Sequence, residues 1–181
     1  HRLGDAASPV LLRLTAGYAM LVNGGKRITP SLIDRVQDRH GRTVYRQDRR
    51  ECGDCRPPEW HDNPTPQLPD TREQIADPIS VYQIVSMLEG VIERGTGQRI
   101  RELNRTLAGK TGTTNDSADA WFVGFSPDLV FGVFVGFDQP STLGGHETGA
   151  SAAVPIFKDF MAAALAGKPD VPFRIPPGVR L

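Results

Sequence analysis

Two apolar runs, residues 120–125 and 129–137, are separated only by Ser126, Pro127 and Asp128. A parallel crossover needs about a dozen residues or more, so runs joined this tightly must lie antiparallel. Pro127 occupies a position where a tight turn favours a fixed φ. The second run, "LVFGVFVGF", is almost wholly apolar and predicts a strand covered on both faces. A third strand-like run, 106–114, stands just upstream. Whatever else the chain does, it must put helices against this antiparallel sheet.

The helices are punctuated in the sequence. Ser8 (N-cap), Pro9 in the first turn and a stop at Gly24 frame the first. Asp77 and Pro78 open a second, stopped by Gly95, and a third covers about 152–166. Glu89 and Glu93, one turn apart on the second helix, read as a solvated face. Between the first two helices, Ile33, Val36, Val44 and Tyr45 are the apolar positions of a short hairpin turning at 38–41. Residues 47–77, rich in proline and charge, read as a surface loop or insertion. The fold class expected is α+β, with one domain over 1–167 and a Pro-rich tail over 168–181.

Equal numbers of basic and acidic residues, 21 each, leave no net charge and argue against a nucleic-acid footprint. No apolar run approaches the roughly 20 residues of a membrane span. The opening "HRLGDAASPV" has no signal-peptide pattern and begins as a fragment would, so any anchor is expected upstream. Cys52 and Cys55 are open to a local disulfide loop, a pair of free thiols or half of a metal site. Pro57 and Pro58 argue against the helix N-terminus of a redox pair, and a zinc ion would need two further ligands. The disulfide is preferred, and neither metal nor cofactor is expected.

The chemistry is concentrated in "LAGKTGTTND", residues 107–116. Gly109, Lys110 and Thr111 match the end of a phosphate loop. The first glycine of that pattern is replaced by Asn104, and strands rather than a helix follow. The alternative is an edge strand beside a cleft. Gly112 would admit a close substrate backbone, Lys110 would supply charge, and free N–H groups could meet an extended peptide or an oxyanion. Ideal alternation puts Lys110 and Gly112 on one face and Thr111 and Thr113 on the other. A twist or bulge would be needed to turn them all toward one ligand.

"TAGYAMLVNGGKRITPSLIDRV", "MLEGVIERGTG", "LAGKTGTTND", "DAWFVGFSPDLVFGVFVGFDQP" and "ETGASAAVPIFKDFM" follow one another in this order along the chain. Together they resemble the C-terminal part of the transpeptidase domain of class A, 1A-type penicillin-binding proteins, from about residue 8 to 165. The resemblance implies the antiparallel sheet with flanking helices shared with serine β-lactamases. It implies a D,D-transpeptidase that acylates a serine with a D-Ala-D-Ala stem peptide of peptidoglycan and is blocked by β-lactams. The motif set is S-x-x-K, an S-D-N type, and K-T-G. Carried over, Lys110 and the N–H of Thr113 serve catalysis; Thr111, Gly112, Thr113 and Thr114 bind substrate, with Glu147, Thr148 and Gly149 as weaker candidates. An upstream glycosyltransferase domain, a periplasmic site on the inner membrane and no cofactor are implied as well. That location would permit a Cys52–Cys55 disulfide.

No serine of this chain has lysine three residues on or asparagine two residues on. The nucleophile and the second motif are therefore expected in the rest of the parent, and the chain alone is expected to be inactive. A carboxypeptidase or β-lactamase of the same fold, and a non-catalytic β-lactam-sensing or wall-binding module, are the rival readings. Trp121 and Phe122 read as core and His146 as an exposed loop residue. An open sheet edge also invites pairing with a second copy.

Overall fold

The structure is a computed structural model and describes residues 4–51 and 68–180. It comprises two compact units, His1–Ile28 with Gln74–Leu181, and Thr29–Glu73. Cys52 and Cys55 lie outside the described residues.

The larger unit is built on a three-stranded antiparallel sheet in the order of the chain. Its strands are β3 (Ala108–Thr113), β4 (Asp119–Phe125) and β5 (Val130–Gly136), numbered after β1 (Arg35–Gln37) and β2 (Thr43–Arg46) of the smaller unit. The Ser-Pro-Asp link closes as expected: Ser126 N–H donates to Leu129 C=O at 2.9 Å. Register is unbroken on both sides of β4, from Ala108↔Phe125 to Thr113↔Ala120 and from Asp119↔Gly136 to Phe125↔Val130.

Helices cover both faces, as the apolar runs require. Helix α1 (Gly4–Val22) lies over β5 where Gly132 leaves room: a Cβ there would stand 2.3 Å from Thr15 Oγ1. Tyr18, Leu21 and Val22 of α1 pack beside Phe125. Across the sheet, Phe157 of α3 (Val154–Ala164) meets Phe122 edge-on, with centroids 4.7 Å apart. Helix α2 (Pro78–Arg94) reaches both cores, with Val85 in one and Ile92 in the other. This is the α+β arrangement expected, an antiparallel sheet between flanking helices.

Several boundaries differ from expectation. Helix α1 begins at Gly4, ahead of Ser8, so Ser8 and Pro9 are internal to it; the alanines before them are good helix formers. Asp77 does cap α2, accepting from Ser80 N–H at 2.8 Å. Glu93 is exposed, but Glu89 is half-buried because it lies on the stripe of Val85 and Ile92. Burial, with the Glu93 charge adding, pushes the Glu89 carboxyl above its usual range.

The smaller unit holds the expected hairpin, β1 (Arg35–Gln37) paired with β2 (Thr43–Arg46). Asp38 Oδ1 accepts from His40 and Arg42 N–H and closes the turn. Ile33, Val36, Val44 and Tyr45 are all exposed, since a two-stranded ribbon has no second layer of its own.

The Pro-rich terminus is docked. Phe173 packs edge-on against Phe125 at 5.5 Å and is buried. Asp170 accepts from the N–H and hydroxyl of Thr106 at 2.9 and 2.8 Å. The Thr106 N–H holds the Asp170 carboxyl below the ordinary carboxylate range. A carboxyl depressed by folding stabilises the fold above its unfolded pKa of about 4, and that contribution is lost as pH falls through the folded value. Asp170→Asn should therefore lower the melting temperature at neutral pH and narrow the gap to wild type below about pH 4. An unchanged gap across a pH series would remove this linkage.

Candidate active site

The strand β3 lies at the edge of the sheet and carries the K-T-G stretch. Its address follows from β4: Lys110 pairs with Val123, Thr111 with Phe122, Gly112 with Trp121 and Thr113 with Ala120. No bulge interrupts the pairing, so strict alternation holds. Thr111 and Thr113 share the face of Phe122, while Lys110 and Gly112 share that of Val123 and Trp121. The single-face gathering that a twist would have produced is absent from this stretch.

Hydrogen bonding gives the edge its direction. Thr114 N–H donates to Asp119 C=O at 3.1 Å, across the pair that continues the ladder. Bonded and non-bonded pairs alternate in an antiparallel ladder, so the N–H and C=O groups of Thr111 and Thr113 point out from the free edge. Lys110 is exposed, and its Nζ donates to the outward C=O of Thr111 at 2.9 Å.

The two threonine hydroxyls are tied to opposite walls. Thr111 Oγ1 is 2.8 Å from Thr96 Oγ1, in the loop that follows α2. Thr113 Oγ1 accepts from Gly149 N–H at 3.0 Å. Gly149 opens a single π-turn, Gly149–Ala153, which runs straight into α3. Thr148 caps it reciprocally: Ser151 N–H donates to Thr148 Oγ1, and Thr148 N–H donates to Ser151 Oγ at 2.7 Å. Between Thr96 and this turn lies an open cavity of about 370 Å³, lined by Thr96, Gln98, Arg99, Thr148 and Ser151 among others.

Gly149 is required by contact. A Cβ there would stand 2.5 Å from Trp121 O and 2.6 Å from Gly112 O, both backbone atoms. Gly112 faces a milder limit, with its Cβ position 3.3 Å from Trp121 Cβ.

Of the residues singled out in the sequence, the structure brings Thr111, Gly112, Thr113 and Gly149 into one contiguous set, with Thr148 beside them. Lys110 extends from the other face of the same strand. Thr114 stands past the strand end, where its hydroxyl accepts from Asp119 N–H at 2.8 Å and shapes the turn. Trp121 is half-buried, Phe122 fully buried and His146 exposed. Thr96, Gln98 and Arg99 carried no signal of their own, because only the fold brings them to β3. The "GTG" that stops α2 marks their place.

The penicillin binding protein transpeptidase domain family matches residues 3–162. The chain belongs to that family. It is similar to penicillin-binding protein 1A of Rickettsia bellii, with 44% identity over 173 residues, and to that of Neisseria gonorrhoeae, with 37% over 169. Those alignments take in 94% and 93% of this chain but only 22% and 19% of the relatives' lengths. The crystal structure of penicillin-binding protein 1A from Haemophilus influenzae superposes with a TM-score of 0.76 at 30% identity, covering 92% of this chain and 28% of that one. PonA1 from Mycobacterium tuberculosis matches with a TM-score of 0.67 at 23% identity, covering 93% and 42%, a likeness of fold.

Gly149→Ala should separate the π-turn from β3 and destabilise the protein by about 1–3 kcal/mol, as overpacking does. Gly145→Ala, with nothing within 4 Å of its Cβ position, is the control. Equal urea midpoints for the two variants would show that the close approach is not needed.

Proposed function

We propose that this chain supplies the third-motif wall of a peptidoglycan D,D-transpeptidase whose nucleophile lies in the rest of the parent protein. One observation carries the reading. Within a domain of the transpeptidase family, an edge strand presents outward N–H groups while its two threonine hydroxyls bond to Thr96 and Gly149, on either side of the cavity described above.

The chemistry follows from that edge. A serine from the parent attacks the carbonyl carbon of the penultimate D-Ala, and its proton passes to the lysine of the upstream motif. The outward N–H of Thr113 donates to the oxyanion as it forms. Collapse of the intermediate expels the terminal D-Ala amine, which takes the proton held by that lysine; the amine of a second stem peptide then attacks the acyl carbon, its proton passing through the same lysine back to the released serine oxygen. Thr111 and Thr113 exchange their present partners for the substrate's carboxylate, or for that of a β-lactam. Lys110 gives up Thr111 O and adds positive charge along the edge. This work belongs on the periplasmic face of the inner membrane. Among the described residues no helix is long and apolar enough to cross a membrane, so the anchor is assigned to the parent.

In the full-length parent, Lys110→Ala should slow acylation by fluorescent penicillin by roughly ten-fold or more, in line with loss of an electrostatic stabiliser, with little change in melting temperature. The isolated chain should show no adduct by intact mass. Acylation at the wild-type rate, or an adduct on the isolated chain, would contradict the assignment.

A further inference from the structure

The cavity beside β3 has a chemical bias. Thr96, Gln98 and Arg99 enter it from the end of α2 and the start of the 3-10 helix Gln98–Leu103, and Thr148 and Ser151 from the opposite wall. Among the described residues no acidic side chain lines it. The nearby carboxylate on the far wall, Glu147, is engaged by the Ser151 hydroxyl at 2.8 Å.

Three neighbouring cations are already committed. Arg101 pairs with Glu93 at 3.5 Å, Lys158 with Glu102, and Arg105 donates to the carbonyls of Lys168 and Leu165. Among the described residues Arg99 has neither ion pair nor hydrogen bond; it feels only the field of Glu102, which Lys158 holds. An exposed guanidinium at the mouth of a polar cleft, with an amide beside it, offers a planar fork suited to a carboxylate. The cleft is joined to the K-T-G strand on both sides, through Thr96–Thr111 and Gly149–Thr113.

We propose that this cleft binds a side-chain carboxylate of the peptide substrate, distinct from the terminal carboxylate assigned to β3, with Arg99 as its recognition cation. The inference rests on the transpeptidase reading above and names a specificity determinant for it. A peptide laid along the β3 edge turns alternate side chains toward the Thr111 face, where the cleft opens. A substrate with an uncharged side chain there leaves Arg99 in water and gains nothing.

The test uses the full-length parent and two synthetic D-Ala-D-Ala peptides, identical except that the upstream side chain ends in a carboxylate or in its carboxamide. Wild type should prefer the carboxylate peptide in kcat/KM by about ten-fold or more, the scale of a charge-assisted hydrogen bond. Arg99→Ala should bring that ratio to about one, and Arg99→Lys, which keeps the charge but not the fork, should hold an intermediate ratio. A wild-type ratio near one would overturn the proposal, as would a ratio unchanged in Arg99→Ala. Wild-type protein that reacts with neither peptide nor fluorescent penicillin would instead overturn the transpeptidase reading itself. Arg99→Gln provides a second neutral variant should the alanine protein fail to fold.

Discussion

The architecture depends on the way β4 is held from four sides. Phe122 and Phe125 are three residues apart on one strand, so they point to opposite faces, and both are completely buried. Phe122 meets Phe157 of α3; Phe125 meets Tyr18 of α1 and Phe173 of the C-terminal segment. Edgewise, β3 and β5 occupy both sides of the strand. A slip of one residue would exchange every side chain between the two cores, which differ in shape and partners. Register is therefore fixed by packing far from the cleft, and it puts Gly112 opposite Trp121 and Thr113 opposite Ala120.

From that register the cleft follows without further devices. Ladder alternation turns the N–H groups of Thr111 and Thr113 outward, and side-chain alternation turns their hydroxyls toward the Phe122 face. The π-turn before α3 can approach only because Gly149 has no Cβ to strike Gly112 and Trp121. The two hydroxyls are satisfied by opposite walls, Thr96 and Gly149, so under the proposed function an entering carboxylate would compete with internal bonds that are individually worth about 1 kcal/mol net. That is a modest barrier to recognition, and it keeps the site ordered before a ligand arrives. Under the proposed function Lys110, on the other face, would act from its long flexible stem rather than from a bulge in the strand.

The sheet was legible in the sequence because a three-residue link between apolar runs permits only one pairing. The stops at Gly24 and Gly95 and the cap at Asp77 were legible for the same local reasons. Phe173 was not, because a segment of prolines and charges shows no period, and its burial depends on a pocket assembled from α1 and β4. The π-turn was missed because its reciprocal cap uses Thr148 and Ser151, a pair that does not spell the usual box ending in Glu or Gln. Among the candidate site residues, K-T-G and Gly149 could be named from the chain, whereas Arg99 lies some fifty residues from the wall it faces. Such pairings are set by topology, not by any local pattern.

The most direct measurement is a crystal structure of the full-length parent acylated by a β-lactam. The arrangement described here predicts the drug's carboxylate on the hydroxyls of Thr111 and Thr113, its acyl oxygen on the Thr113 N–H, and Gly149 still packed against Gly112. A drug bound with its carboxylate turned away from β3, or with its acyl oxygen held elsewhere, would contradict it.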